Sequence, residues 1–229
     1  MNQLLSQLPE EERQSLLAHA ERVDLPKGFV LARPERPIEH VYLICAGFCA
    51  LMIPSRSRPR MAAGLIGAEG FIPIGAVFGD TLTFHDITQI VAGWGFRVES
   101  QRFADYVEEN RAFAVRLGRF VQTFVAQVSE MTHCSIACDV EQRVARWILM
   151  CHDRVDGDDI PLTHTVIATM LGMRRSSVTT SLHRLEERKL IRSRRGCVIM
   201  RDRPGLMELV SDAYGRPEQE YRRLLGNFP

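Results

Sequence analysis

Residues 161–190, PLTHTVIATMLGMRRSSVTTSLHRLEERKL, leave the chain the least freedom in what it can fold into. Thr163 is a side-chain N-cap for a helix whose Ile167, Ala168 and Leu171 fall on one face at helical spacing. Gly172 follows where two helices must turn sharply, a position that asks for a residue tolerant of positive φ. Val178, Leu182 and Leu185 then form the buried stripe of a second helix. Ala168 is small where the helices cross, Gly172 comes four residues later at the turn, and Val178 six beyond that locks the second helix down. These residue types at these intervals predict a helix-turn-helix rather than two unrelated core helices.

The next residues extend the pattern. Leu190 and Ile191 begin a short strand, Arg194-Arg195-Gly196 make a turn, and residues 197–200 read as the return strand. A β-hairpin with a basic tip, a wing, therefore follows the second helix. Charge gathers in the same place. The chain as a whole has 29 Lys and Arg against 28 Asp and Glu, a formal net of +1 that says nothing about partners. Between positions 174 and 203, however, ten basic residues face three acids, a local net of +7. A surface that meets phosphates needs such asymmetry, because released counterions supply most non-specific affinity for DNA.

Upstream the character changes. Residues 9–20 read as a short helix, with Pro9 suited to the first turn and Glu10, Glu11 and Glu12 complementing the helix dipole. From 23 to 100, short β-prone runs (29–31, 40–45, 49–53, 87–91 and 95–98) are punctuated by glycines, among them Gly47, Gly64, Gly70 and Gly93. They predict an antiparallel β-roll of about eight strands. A helical pattern then runs from 102 to 138, with Phe113, Leu117, Phe120, Phe124, Val128 and Met131 at spacings of three and four. Such a stripe either packs against its own β-domain or forms a two-fold, coiled-coil-like seam. The seam is the expectation taken forward, because reading a DNA site calls for two modules. Asp139 caps a further helix with Val140, Val144, Trp147, Ile148 and Cys151 on its apolar face. The expected class is α+β, divided into a β-roll at 1–101, a dimerisation helix at 102–138 and a winged helix-turn-helix at 139–229.

Composition narrows the function further. With 45% hydrophobic and 25% charged residues the chain is ordinary for a globular protein. Residues 1–20 do not read as an export signal, and no apolar run approaches eighteen residues, so a cytoplasmic protein without a membrane span is expected. The six cysteines (45, 49, 134, 138, 151 and 197) are scattered rather than arranged as a disulfide framework. The sequence contains no GxxxxGKS/T, HExxH or GxSxG, and an enzyme is not expected.

Residues 140–202 resemble the DNA-binding domain of Crp/Fnr-type regulators, and the β-roll and long helix before them match that family's sensory domain and dimerisation helix in order and length. The likeness is closest in EQRVARWIL at 141–149, LTH at 162–164 and LGMRRSSV at 171–178. It implies a homodimer bound to double-stranded DNA, with a recognition helix from about 175 to 187. Arg175 matches the family's main base-reading arginine, facing guanine O6 and N7. Ser176 and Thr180 share its outward face, where the best-known members carry Glu and Arg, which puts their operator sequence in doubt here. Ser177 and Thr179 are placed to bond phosphate or bases. Thr163 and His164 match phosphate-contacting positions, and Arg174, Arg194 and Arg195 add basic contacts. RNA polymerase is the further partner that activation would call for, at a surface the sequence does not mark.

The family's cyclic-nucleotide pocket needs a glutamate for the ribose and an arginine for the phosphate. In GFIPIGAVFGDTLTFHDITQIVA the first position falls on Ile74, after Pro73, and the second on Asp86 or His85. An aspartate beside a cyclic phosphate is repulsive, so no cyclic nucleotide and no other cofactor is expected. The iron–sulfur branch of the family uses clustered N-terminal cysteines, whereas the first here is Cys45. Cys134 and Cys138, one helical turn apart with His133 beside them, are an alternative metal or redox sensor; as small buried hydrophobes they need no such role. Cys45 and Cys49 flank an expected turn at Ala46-Gly47, and His19, His85 and His133 are lone histidines.

Overall fold

The computed structural model of the chain describes residues 1–55, 57 and 60–228. A one-turn helix, α1 (Gln3–Ser6), is capped by Asn2, whose carboxamide oxygen accepts from the Leu4 and Leu5 N–H groups. The Asn2 amide donates to the carbonyls of Ile44 and Gly70 at 2.9 and 2.7 Å, pinning the N-terminus to the sheet. Helix α2 (Glu10–Leu17) starts after Pro9, which stands at the N-cap rather than in the first turn. It stops short of the expected residue 20 because the chain already enters β1 (Ala20–Leu25) there.

Five more strands, β2 (Val30–Ala32), β3 (His40–Ile53), β4 (Met61–Ile66), β5 (Phe71–Ile72) and β6 (Asp86–Glu99), complete an antiparallel sheet. Its order is β1-β6-β3-β4, with β2 on β6 and β5 on β3. The expectation of about eight strands split two long ones: runs 40–45 and 49–53 are the single strand β3, and 87–91 and 95–98 the single strand β6. What joins the halves is a bulge. The β3/β6 register shifts between Ile44 and Cys49, and Gly47 lies there at φ 70°. A Cβ on Gly93 would sit 1.9 Å from the Ala46 carbonyl oxygen, so the two backbones meet where only glycine fits. Cys45 and Cys49 therefore flank a bulge in a continuous strand, as buried free thiols. A short 3-10 helix (Ile74–Phe78) precedes β6.

The helical stretch expected at 102–138 is two helices, α3 (Ser100–Glu109) and α4 (Arg111–Ala137), broken at Asn110. The aromatic stripe of α4 does not face outward as a seam. Phe113, Leu117, Phe120 and Phe124 are buried with Phe71 and Phe103 in the core of the β-roll. Val128 packs partly on that core, and Met131 partly on the neighbouring one. The sheet is recessed to receive the rings: a Cβ on Gly70 would lie 2.0 Å from Phe120 Cζ, and one on Gly64 would lie 2.6 Å from Phe124 Cε2. The side of α4 left exposed carries Val115, Gly118, Gln122, Val125, Ser129, Thr132 and Ile136, alternating by three and four.

Helix α5 (Val140–His152) begins with a capping box between Asp139 and Gln142. After it come β7 (Asp159–Ile160), α6 (His164–Leu171), α7 (Arg175–Glu187), β8 (Ile191–Arg194), β9 (Cys197–Met200), α8 (Arg203–Val210) and α9 (Arg216–Leu225). The strands pair antiparallel in the order β7-β9-β8. Val144, Ile148, Ile167, Val178, Leu182 and Leu185 are fully buried together, and their cluster runs on without interruption into Phe48, Ala50 and Leu65 of the β-roll. Helix α6 packs on β4, and α9 returns to lie against α4. A buried ion pair joins the two halves of the chain, Arg154 after α5 to Glu69 between β4 and β5 at 2.7 Å. No helix among the described residues is long and apolar enough to cross a membrane.

Candidate nucleic-acid interface

Helices α6 and α7 with the β8–β9 hairpin form a winged helix-turn-helix. Thr163 caps α6, its hydroxyl accepting from Val166 N at 3.2 Å. Gly172 ends the helix at φ 62°, in the left-handed region that the tight turn demands. Val178, Leu182 and Leu185 then hold α7 by its inner face, so its orientation is fixed by the core beneath it.

The outer face is polar. Arg174, Arg175, Ser176 and Thr180 are exposed, Ser177 and Thr179 half-buried. Arg194 and Arg195 are exposed at the tip of the hairpin, where Gly196 takes φ 79°. Thr163, His164, Arg175, Ser193, Arg194 and Arg195 line one cleft of about 470 Å³ between α7 and the wing. Among the described residues none of Arg174, Arg175, Arg194 and Arg195 is ion-paired. Other members of the basic run have partners within the chain. Arg184 and Arg188 lie 3.8 and 3.4 Å from Glu141, and Arg203 bonds Asp153 at 2.6 Å and Tyr214 at 2.8 Å.

His164 ties the site together. Its Nδ1 lies 3.0 Å from Thr179 Oγ1 on α7, and its Nε2 lies 3.0 Å from Ser193 Oγ on the wing. Burial, with the positive charges of Arg175 and His183, pushes the imidazole below the usual histidine range. The neutral ring donates through one nitrogen and accepts through the other, which suits two hydroxyls. Glu186 adds a second brace, its Oε1 accepting from Ser193 N at 3.2 Å. Sequence reasoning missed Ser193, Glu186 and the exposed His183. His183 lies on the same helical face as Ser176 and Thr180, and that spacing was the available signal. The Ser193 contact spans 29 positions and left no local trace.

The remaining candidates lie elsewhere. Ile74 opens the 3-10 helix, Asp86 is ion-paired with Arg60, and His85 stands edge-on to Phe84. Cys134 is buried and Cys138 half-buried, and burial together with Cys138 pushes the Cys134 thiol up to about 12. His133 turns to Glu130 at 3.5 Å. Among the described residues no group of three His, Cys, Asp or Glu side chains is gathered to hold a metal ion.

Residues 142–209 match the family model of the Crp-like helix-turn-helix domain. Solved structures resemble nearly the whole chain. A Crp/Fnr-family protein from Eubacterium rectale matches with a TM-score of 0.70 and 15% identity, covering 90% of this chain and 97% of that one. FixK2 from Bradyrhizobium japonicum matches with a TM-score of 0.72 and 15% identity over 85% of this chain and 99% of its own. A CRP-family transcriptional regulator from Thermus thermophilus matches at 0.70 and 14% identity, over 85% and 98%. Comparison with curated protein sequences gives no match.

Proposed function

We propose that this chain, which has the Crp/Fnr fold and carries a Crp-like helix-turn-helix domain, is a sequence-specific transcriptional regulator. It acts in the cytoplasm as a homodimer on a palindromic DNA site. The observation that carries the reading is the cleft between α7 and the wing, where exposed arginines without carboxylate partners surround a braced polar floor. Cations satisfied by the fold would be paired, as Arg203 is; unpaired ones grouped on one face suit phosphates. Arg175 reads a guanine edge in the major groove, with Ser176 and Thr180 beside it. Thr163, Arg174, Ser177, Thr179, Arg194 and Arg195 hold the backbone and set the register, while His164 positions the wing.

One such module reads few base pairs, so two are placed about 34 Å apart by a two-fold axis. The surface suited to that axis is the exposed stripe of α4 at Val115, Gly118, Gln122, Val125, Ser129, Thr132 and Ile136, which carries no charge over its length. Cyclic nucleotide does not bind in the family's usual mode, since the Ile74 side chain offers no oxygen to a ribose and Asp86, a carboxylate already paired with Arg60, supplies no cation to a phosphate. A redox sensor built on Cys134 is disfavoured because burial pushes its thiol up and keeps it protonated.

Selection from random duplexes at fixed moderate salt, with Arg175→Ala in parallel, tests the reading. Enrichment of a palindrome with half-sites one helical turn apart, relaxed in the variant, is the expected result. Failure of the folded protein to enrich any sequence, or affinity indifferent to salt between roughly 50 and 200 mM, overturns it.

A further inference from the structure

A cavity of about 250 Å³ opens at the junction of the β-roll, α4 and the winged helix-turn-helix. Ile53, Met61 and Ala62 of the roll, Met131 of α4 and Met170 of α6 make its apolar wall. A void of roughly 150 Å³ lined by such groups already admits benzene, so this one has room for a larger body.

Thr132 and Ser135 of α4 also line the cavity, and its charged side is on α5. Arg143, Arg146 and Trp147 line it, and among the described residues neither arginine has an ion-pair partner. Arg146 is only 4% exposed, and its Nε donates to the Ala213 carbonyl at 2.7 Å. Glu130 and Glu218 act on it from beyond ion-pair distance. Arg143 gives one Nη to the Leu171 carbonyl at 3.3 Å. Trp147 is 1% exposed, and its indole N–H is buried with no hydrogen-bond partner among the described residues. A buried guanidinium with no carboxylate against it is costly, and so is an orphaned indole N–H. One carboxylate in the cavity would relieve both.

We infer that the junction cavity is a binding site for a small monocarboxylic acid with an aromatic or aliphatic body, its carboxylate on Arg143, Arg146 and the Trp147 N–H. The ligand would touch β4 and α6 at once and so alter how the helix-turn-helix sits on the roll. That regulatory consequence rests on the DNA-binding reading; the binding itself does not.

Titration calorimetry of the full chain with 1-naphthoate and octanoate, each against its neutral amide, tests the site without DNA. At least one acid should bind tenfold or more tightly than its amide. Arg143→Gln, which removes a half-exposed charge, and Met131→Trp, which fills the void, should each weaken the acid tenfold or more while melting cooperatively. Equal binding of acid and amide, no heat from either acid at millimolar concentration, or acid binding untouched by Met131→Trp overturns the assignment. A duplex titration with and without the acid is a separate arm. Acid binding by a chain that ignores duplex DNA leaves this site standing and overturns the regulator reading instead.

Discussion

Arg175 stands exposed on the first turn of α7 with no carboxylate partner among the described residues, so its removal should cost the fold nothing. Arg175→Ala is expected to weaken specific duplex binding by about 1–3 kcal/mol, roughly five- to 150-fold, at an unchanged melting temperature; competition binding and a thermal melt read the two. His164 behaves differently from what its position in the sequence implies. Read as a phosphate contact, it turns out to bond Thr179 and Ser193 through both ring nitrogens, leaving the arginines and hydroxyls around it to face a partner. Its pKa is lowered in the fold, by burial first and then by Arg175 and His183. Above the unfolded value of about 6.5 the ring is neutral in both states and its contribution is complete. As pH falls from there toward the folded value, the unfolded chain takes up a proton that the folded chain resists, and stability is lost. Urea midpoints measured from neutral pH downward should therefore slope less for His164→Gln than for the parent. The flattening is partial, because burial shifts His85 in the same direction.

Among the elements, the winged helix-turn-helix was legible in advance because its determinants are local. A cap at Thr163, a turn at Gly172 and a stripe from Val178 to Leu185 lie within 23 positions, and the structure places each in the role its chemistry implies. Helix α4 was legible only as a helix. Aromatic residues every three or four positions state that one face is covered, and nothing in that period distinguishes a partner helix from the chain's own sheet. The answer lay in Gly64 and Gly70, far upstream, whose missing side chains make room for Phe124 and Phe120. Likewise β3 and β6 read as four strands because a glycine inside a strand pattern marks a turn or a bulge equally well. The two faces of α4 should now separate by mutation. Phe124→Ala, cut from the core, should cost about 3–5 kcal/mol by urea denaturation. Val125→Glu, on the exposed stripe, should leave the protomer's own stability within about 0.5 kcal/mol and, on the proposed homodimer reading, shift its sedimentation to that of a monomer.

At the scale of the molecule, the winged helix-turn-helix half shares an apolar core with one part of the β-roll, whose main core lies beside it, and the buried Glu69–Arg154 pair links the two halves. The pair is further enclosed by the Tyr221 hydroxyl donating to the Glu69 carbonyl at 2.9 Å and by the Phe228 ring facing Arg154. Removing one charge strands the other in a dry site, so Glu69→Gln should destabilise the chain by about 3–5 kcal/mol in denaturant melts, far more than loss of a surface pair. Contacts between residues 85 positions apart leave no mark in a local pattern, which is why the expected division into β-roll, helix and winged helix-turn-helix gave no hint of the pair that joins them. The inward-facing aromatics of α4 have one more effect. Since each protomer completes its own core, a second copy is not needed for it to fold: diluted to the monomer it should still melt cooperatively, with any dimerisation only adding to the melting temperature as concentration rises. On the proposed homodimer reading, by contrast, occupancy of a two-fold operator would draw on two copies and climb steeply with their number. The amount of protein made would then be an input in its own right, alongside any acid bound at the proposed junction site.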